Sequence, residues 1–443
     1  MFFRQSRLIL QHAAPMLITQ LASMGMMVID TVLLGHYGTE DLAAVAVGGG
    51  VYIALLFALT GILQAVTPIV AHLKGAGRKG EIAGALQQCF WLALILMLPG
   101  ILFLNHPGAL LGLSNIEPGV ELKARSYLAL LAWGLPAVLL YRCFYAFCNG
   151  LGRPRVLMLI SLGGTLLHGI LASVLVTGWF GGEGLGVLGC GISNATVSWF
   201  ALLCGSAYMA RGTELAPYRL LHSWQRPRFT ALRELVRLGL PMGFSSFVEI
   251  SSFTLMALFA AQLGATVVAA HRVVANFSAI CYMLPLALAI ATLAQVGQAG
   301  GAQDWRRAQV SVLSGLALGS VLASALGLAL WLSESFLVTA YTSDPAVRRI
   351  ALPLVIYVVI SQVFDALQTV AAFALRGYKI TFVPMFVHIA CFWGVGLFGG
   401  WWLAFRTASP MGVRGFWIAS LASLVLAAFL LCGLLWRAVR IAR

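Results

Sequence analysis

A chain carrying twelve separate apolar stretches of about twenty residues has few folds open to it. In this 443-residue sequence they run 9–35, 45–71, 86–105, 125–148, 156–178, 187–210, 237–262, 267–296, 309–332, 350–375, 381–405 and 415–436. Each is long enough to cross the roughly 30 Å hydrocarbon core of a bilayer as a helix. A helix is also the form that satisfies its own backbone donors and acceptors in lipid. The expected class is therefore an all-α polytopic membrane protein with twelve transmembrane helices. Only 9% of the residues are charged and 60% are hydrophobic, whereas soluble domains are about 25% charged. The first stretch follows Arg4 and Arg7 as a signal peptide would, but it is too long and holds Pro15 and Asp30. It reads as a retained span.

The formal net charge of +14 would suit nucleic acid if it covered a soluble surface, but it is sorted by side. With the N-terminus inside, Arg4, Arg7, Lys74, Arg78, Lys79, Arg153, Arg155, Arg306, Arg307, Arg376, Lys379, Arg437, Arg440 and Arg443 share one side. The connector arginines Arg211, Arg219, Arg226, Arg228, Arg233 and Arg237 join them. Lys123, Arg125, Arg348, Arg349, Arg406 and Arg414 fall on the other side. This is the positive-inside pattern. It predicts a multi-pass protein of the cell inner (cytoplasmic) membrane with both termini cytoplasmic, lipid as its surroundings and no nucleic-acid partner.

The two halves of the chain repeat. An offset of 226 pairs Pro15 with Pro241, Gly38 with Gly264, Ala43-Ala44 with Ala269-Ala270, Gly75 with Gly301, Gly186 with Gly412 and Gly189 with Gly415. At 227, Gly150 meets Gly377. Because the offset spans six helices, both halves have the same orientation, which is a parallel repeat with a pseudo-twofold axis along the membrane normal. The expected domains are 1–210 and 237–443, joined by a cytoplasmic connector at 211–236. Transporters of this design bind substrate near the midplane of the two halves. No HExxH, GxSxG or P-loop pattern points to an enzyme.

Three acids lie within the spans: Asp30, Glu249 and Asp365. Intramembrane carboxylates are expensive and mark functional sites by default. Glu249 sits on a stripe with Ser245, Ser246 and Ser252, and Asp365 on one with Ser361, Gln362, Gln368 and Thr369. These spacings put each set on one helical face. Asp30 has Gln20 and Ser23 on the turns before it and Met27 one turn away. Gln20, Met27 and Phe253 on such faces are candidates to line a cavity for flat cations. No Lys or Arg is near Glu249 or Asp365 in sequence to neutralise them. Such a carboxyl can take up a proton near neutral pH, or hold Na⁺ through carboxylate and hydroxyl oxygens. The expected mechanism is exchange, in which the ion leaves and a cationic substrate takes its place. The residues leave H⁺ and Na⁺ both open.

At this point the sequence resembles a family. "APMLITQLASMGMMVIDTVLLGHYG" is similar to the first helix of multidrug and toxic compound extrusion (MATE) antiporters. The loops "NGLGRPR" and "LRGYK", with "LGLP" before the seventh helix and "AAHRV" in the eighth, are also similar to theirs. The resemblance covers essentially the whole chain and points to the NorM-like branch. It implies a V-shaped fold of two six-helix bundles, and secondary active export of organic cations or amphipathic drugs by alternating access. Glu249 and Asp365 then fall on the cation-coupling positions, as Na⁺ ligands if Na⁺ is the ion, and Asp30 on the first-half acidic position. Besides the coupling ion, no cofactor is implied, and a monomer is expected to function. In the fifth helix Gly164 and His168 stand where Asn is expected, Asn194 where Thr is common, Ser361 where an aromatic hydroxyl can sit, and Arg272 where Gln is usual. A histidine beside Asp30 favours proton chemistry there. The competing reading is a lipid-linked precursor flippase of the wider superfamily, which needs several Arg or Lys residues to hold pyrophosphate. Sorted by sequence, only Arg142 and Arg272 lie within spans.

Overall fold

The computed structural model describes residues 1–111, 117–178, 184–218, 220 and 224–441; Arg219 and Arg443 lie outside them. Among the described residues, twelve helices are long and apolar enough to cross a membrane: α1 Phe2–Tyr37, α2 Thr39–Gly75, α3 Lys79–Asn105, α4 Pro118–Leu151, α5 Pro154–Thr177, α6 Val187–Arg211, α7 Phe229–Leu263, α8 Ala265–Gly301, α9 Trp305–Tyr341, α10 Pro345–Gly377, α11 Phe382–Phe405 and α12 Val413–Ile441. Each expected stretch maps onto one of them. Most helices run further than the apolar pattern, because hydropathy marks only the oil-soluble part. Helical hydrogen bonding continues to a capping group, as at Asp304 and Asp344. Their side chains accept from the Arg307 and Ala346 amides at 2.9 and 2.8 Å, each satisfying a donor the helix leaves free.

The parallel repeat is written into the backbone. Gly77, with φ +72°, has Gln303 at φ +56° as its counterpart 226 residues on. Gly152, at φ +68°, corresponds at 227 to Lys379, at φ +60°. These are the two non-glycine residues with positive φ in the chain's described residues. The second half thus holds a side chain in the left-handed region where the first uses glycine. Helix crossings repeat too. A Cβ on Gly150 would lie 2.7 Å from the Thr67 carbonyl oxygen, beside Val70. One on Gly377 would lie 3.1 Å from the Leu293 oxygen, beside Val296. Thr67 and Val70 are the repeat partners of Leu293 and Val296 at 226.

The chain divides into two compact units, residues 18–243 and residues 1–17 with 244–443. The cuts at Leu17/Ile18 and Gly243/Phe244 are again 226 apart, two residues past Pro15 and Pro241. So α1 and α7 each give their first part to one unit and the remainder to the other.

In the N-terminal unit, Leu34, Ala44, Val120, Ala124, Tyr127, Leu131, Val176, Val187 and Cys190 form one buried apolar cluster. There α2 and the start of α7 meet backbone to backbone: a Cβ on Gly61 would fall 2.2 Å from the Gly243 Cα. Small residues allow this approach, which is how helices associate when lipid removes the hydrophobic drive. The inter-half connector is bound into the same unit. The Gln87 amide donates to the Leu220 carbonyl at 3.0 Å and accepts from the Gln225 amide at 2.9 Å. Gln88 does the same with the Arg226 carbonyl and the Arg228 amide at 2.9 and 2.7 Å. At the start of α2, Asp41 is buried and accepts from the Lys123 ammonium at 2.6 Å and from the Val187 amide at the start of α6 at 2.9 Å.

The C-terminal unit has an apolar cluster where α8, α10 and α12 meet, around Val274, Phe277, Leu354, Val358 and Phe416. Its helix α11 contains a π-helical stretch, Ile389–Phe398.

Candidate functional site

The three intramembrane acids fall into two clusters, one per unit. In the N-terminal unit, α1, α5 and α6 bring their polar residues together. Asp30 is 7% exposed. The His168 Nε2 lies 3.0 Å from its Oδ1, and the Asn194 amide nitrogen donates to its Oδ2, also at 3.0 Å. The same Asn194 nitrogen donates to the Cys190 carbonyl at 3.0 Å, one turn back. Behind His168, which is fully buried, the Ser193 hydroxyl lies 2.9 Å from Nδ1 and 3.3 Å from the His168 carbonyl oxygen. Asp30, His168 and Asn194 were expected from sequence, and the three meet. Ser193 was not expected, although it adjoins Asn194; nothing in the sequence shows that it turns toward α5. A cleft of about 610 Å³ lined by Ile29, Thr165, Leu166, Gly169, Ile170, Ser173, Val174 and Thr177 runs along the neighbouring face of α5.

In the C-terminal unit, α7, α8 and α10 build the second cluster. The Gln368 amide donates to Asp365 Oδ1 at 3.0 Å and to the Thr369 hydroxyl at 2.9 Å. Thr369 in turn lies 3.5 Å from the same carboxylate oxygen. Glu249 lies beside Gln368 and the Tyr282 phenol, and within electrostatic reach of Asp365. The Gln368 amide gives its two N–H groups to Asp365 and Thr369, with Glu249 beside them. Two buried oxygens, Gln362 Oε1 and Gln368 Oε1, have no hydrogen-bond partner, which leaves acceptor capacity in an oxygen-rich region.

Arg376 departs from the charge sorting. Sequence places it at the inner edge, but it is 4% exposed, with its guanidinium 4.2 Å from the centre of the Phe373 ring and within electrostatic reach of Glu249. The "LRGYK" loop begins inside α10, so this arginine ends up among packed helices. Among the described residues, no ion pair within 4 Å engages Glu249 or Asp365.

Not every residue of the expected stripes reaches the acids. Ser252 donates to the Phe392 carbonyl at 3.0 Å, tying α7 to α11, and Ser361 donates to Val358 of its own helix at 2.9 Å. Ser245 is buried and Ser246 half-buried on α7. Of the cavity candidates, the Gln20 oxygen accepts from the Tyr145 hydroxyl at 3.3 Å. Met27 is exposed on α1 and Phe253 half-buried on α7. Tyr282 and Arg376 were missed by sequence reasoning, since neither stands near an acid in the chain.

With this geometry in place, known proteins can be set beside it. A family model described as MatE matches residues 15–175 and 241–402. A protein of Aromatoleum aromaticum named probable multidrug resistance protein NorM is 55% identical over 423 residues, which is 95% of this chain and 91% of that protein. One of the same name from Neisseria meningitidis serogroup B is 36% identical over 97% of this chain and 94% of its own. A solved structure described as an outward-facing multidrug resistance MATE family transporter matches with a TM-score of 0.91 at 17% identity, over 99% of this chain and 96% of that one. A eukaryotic MATE transporter matches with a TM-score of 0.90 at 20% identity, over 100% of this chain and 99% of its own. These two structures establish the likeness of fold.

Proposed function

The chain belongs to the MATE family of membrane transporters, and from that premise we propose that it is a secondary active multidrug efflux transporter. It exports small organic cations or amphipathic drugs in exchange for Na⁺ or H⁺, by alternating access of its two bundles. The observation that carries the coupling role is Gln368, bonded to Asp365 while within reach of Glu249, with no ion pair fixing either acid among the described residues. With both acids ionised and Arg376 protonated, the three groups sum to a charge of −1. One proton or one Na⁺ neutralises the cluster, so one monovalent ion per cycle is the stoichiometry this unit supports. For an uncharged amphipathic substrate the exchange moves one elementary charge, and about 100 mV then supplies roughly 2.3 kcal/mol. For a monovalent organic cation the exchange is electroneutral and the ion gradient alone drives it.

The protein works as a monomer in the inner membrane, with both termini in the cytoplasm. The flippase reading is not favoured: relatives across nearly the full length carry the names NorM and MdtK, multidrug resistance proteins. The test is purified protein in liposomes with a fluorescent organic cation, applying a pH step and a Na⁺ step separately. Glu249→Gln and Asp365→Asn should each abolish ion-driven transport in protein that stays monodisperse. Undiminished transport in both variants overturns the coupling role.

A further inference from the structure

The N-terminal unit holds one intramembrane charge that ion exchange does not use. We propose that Arg142 of α4, backed by Tyr145 and Tyr52, is a subsite for the carboxylate of an aromatic zwitterionic substrate. The proposal rests on the transport reading above and adds an anion-recognising group to it.

Helical phase shows which way Arg142 points. Leu122 and Trp133 are large apolar residues of α4, 68% and 76% exposed. At 3.6 residues per turn they share one face, the face that lipid covers. Arg142 stands half a turn round the axis from Trp133, about 180° away, and so points into the bundle. Yet it is only half-buried. A side chain that faces away from lipid and keeps accessible surface borders an interior space. It is also deep, since α4 runs on to Leu151, about 13 Å further along the axis.

The surroundings of Arg142 are aromatic. Its guanidinium carbon lies 5.2 Å from the centre of the Tyr145 ring, a cation–π arrangement. Tyr145 is held by its own hydroxyl, which donates to Gln20 of α1 at 3.3 Å. Tyr52 of α2 is within electrostatic reach of the same guanidinium. Among the described residues, no carboxylate lies within 4 Å of Arg142 and no hydrogen bond engages its N–H groups. A charge inside the membrane is costly and marks function by default. The planar fork of a guanidinium matches a carboxylate through two parallel hydrogen bonds, and the tyrosine rings give an aromatic body flat surface to lie against. One arginine suits one carboxylate, whereas a pyrophosphate calls for several. At the repeat offset of 227, Arg142 corresponds to Thr369, whose hydroxyl is 3.5 Å from Asp365. One half thus carries a cation where the other carries a neutral neighbour of an acid.

The test is the binding of two dyes that differ in one group: a fluorescent aminoacridine bearing a ring carboxylate, and its methyl ester. Fluorescence polarisation with purified protein in phospholipid-free detergent gives an affinity for each. Wild type should prefer the acid, and in Arg142→Gln the acid-to-ester affinity ratio should fall by about tenfold or more. Arg142→Lys keeps the charge without the fork and should show a smaller fall. A wild-type ratio of one overturns the proposal, as does an unchanged ratio in Arg142→Gln, or in Arg142→Lys where Arg142→Gln does not fold. Titration with phosphatidylglycerol separates two sources of oxyanion. If the lipid displaces the acid from wild type and leaves the ester bound, the site holds a headgroup phosphate and the substrate assignment falls. If neither dye moves in liposomes under a pH or Na⁺ step, the transport reading fails, and the binding ratio still decides this subsite.

Discussion

Exchanging the residues at one pair of repeat-related turns gives a quantitative test of the equivalence of the two halves. Gln303 sits at φ +56° where its counterpart Gly77 sits at φ +72°. A side chain in the left-handed region costs about 1–2 kcal/mol. Glycine loses about 0.5–1 kcal/mol more backbone entropy on folding. Gln303→Gly should therefore stabilise by about 0.5–1 kcal/mol. Gln303 is exposed, and a Cβ built on Gly77 meets nothing within 4 Å. Packing is thus absent from both positions, and Gly77→Gln should destabilise by a similar amount. For a unit of roughly 200 residues this is a shift of about 1–4 °C in melting midpoint, upward for Gln303→Gly and downward for Gly77→Gln. Differential scanning fluorimetry in detergent resolves it. If Gly77→Gln leaves the midpoint unchanged, or Gln303→Gly lowers it, the two turns do not share a backbone and the reasoning fails.

Gly150→Ala should destabilise by about 1–3 kcal/mol and more than Gly377→Ala. The new methyl meets a backbone oxygen at 2.7 Å in the first case, and at 3.1 Å beside a movable valine in the second; the same thermal assay ranks them. Asp41→Ala should cost about 1–3 kcal/mol, because it strips a bond from both the Lys123 ammonium and the first amide of α6. Lys123→Met should cost less, since the amide bond survives. Replacing both Gln87 and Gln88 with Ala should release the connector, so that trypsin cuts after Arg228 faster than in wild type on a gel time course.

The spans and the repeat were legible because each follows from a one-dimensional signal: runs of apolar residues, and glycines and prolines held at one offset. The acids were legible for a related reason, since a carboxylate amid oil stands out and its polar neighbours recur at helical spacing. What sequence could not supply was the third dimension of each site. Ser193 differs from any other helical serine only in that α6 turns it toward His168. Arg376 read as an inner-edge charge because hydropathy cannot tell a helix end in solvent from one buried against Phe373. Ser252 and Ser361 share a helical face with the acids, yet their hydroxyls go to carbonyls at 3.0 and 2.9 Å. Helical spacing fixes a direction around the axis, and not which acceptor is nearest. Asp41 lies outside the apolar stretches, and its burial depends on α4 and α6 closing over it.

The placement of the unit boundaries within α1 and α7 has a consequence for cutting the chain. Nicking the connector yields two fragments, and neither would own a whole compact unit. The first would keep residues 1–17, an arm that completes the other's fold, and the second would keep 229–243, an arm that completes the first's. Two such pieces made separately would each lack a helical segment that only the other can lend, and pairing them would resemble an exchange of hands more than the docking of finished parts.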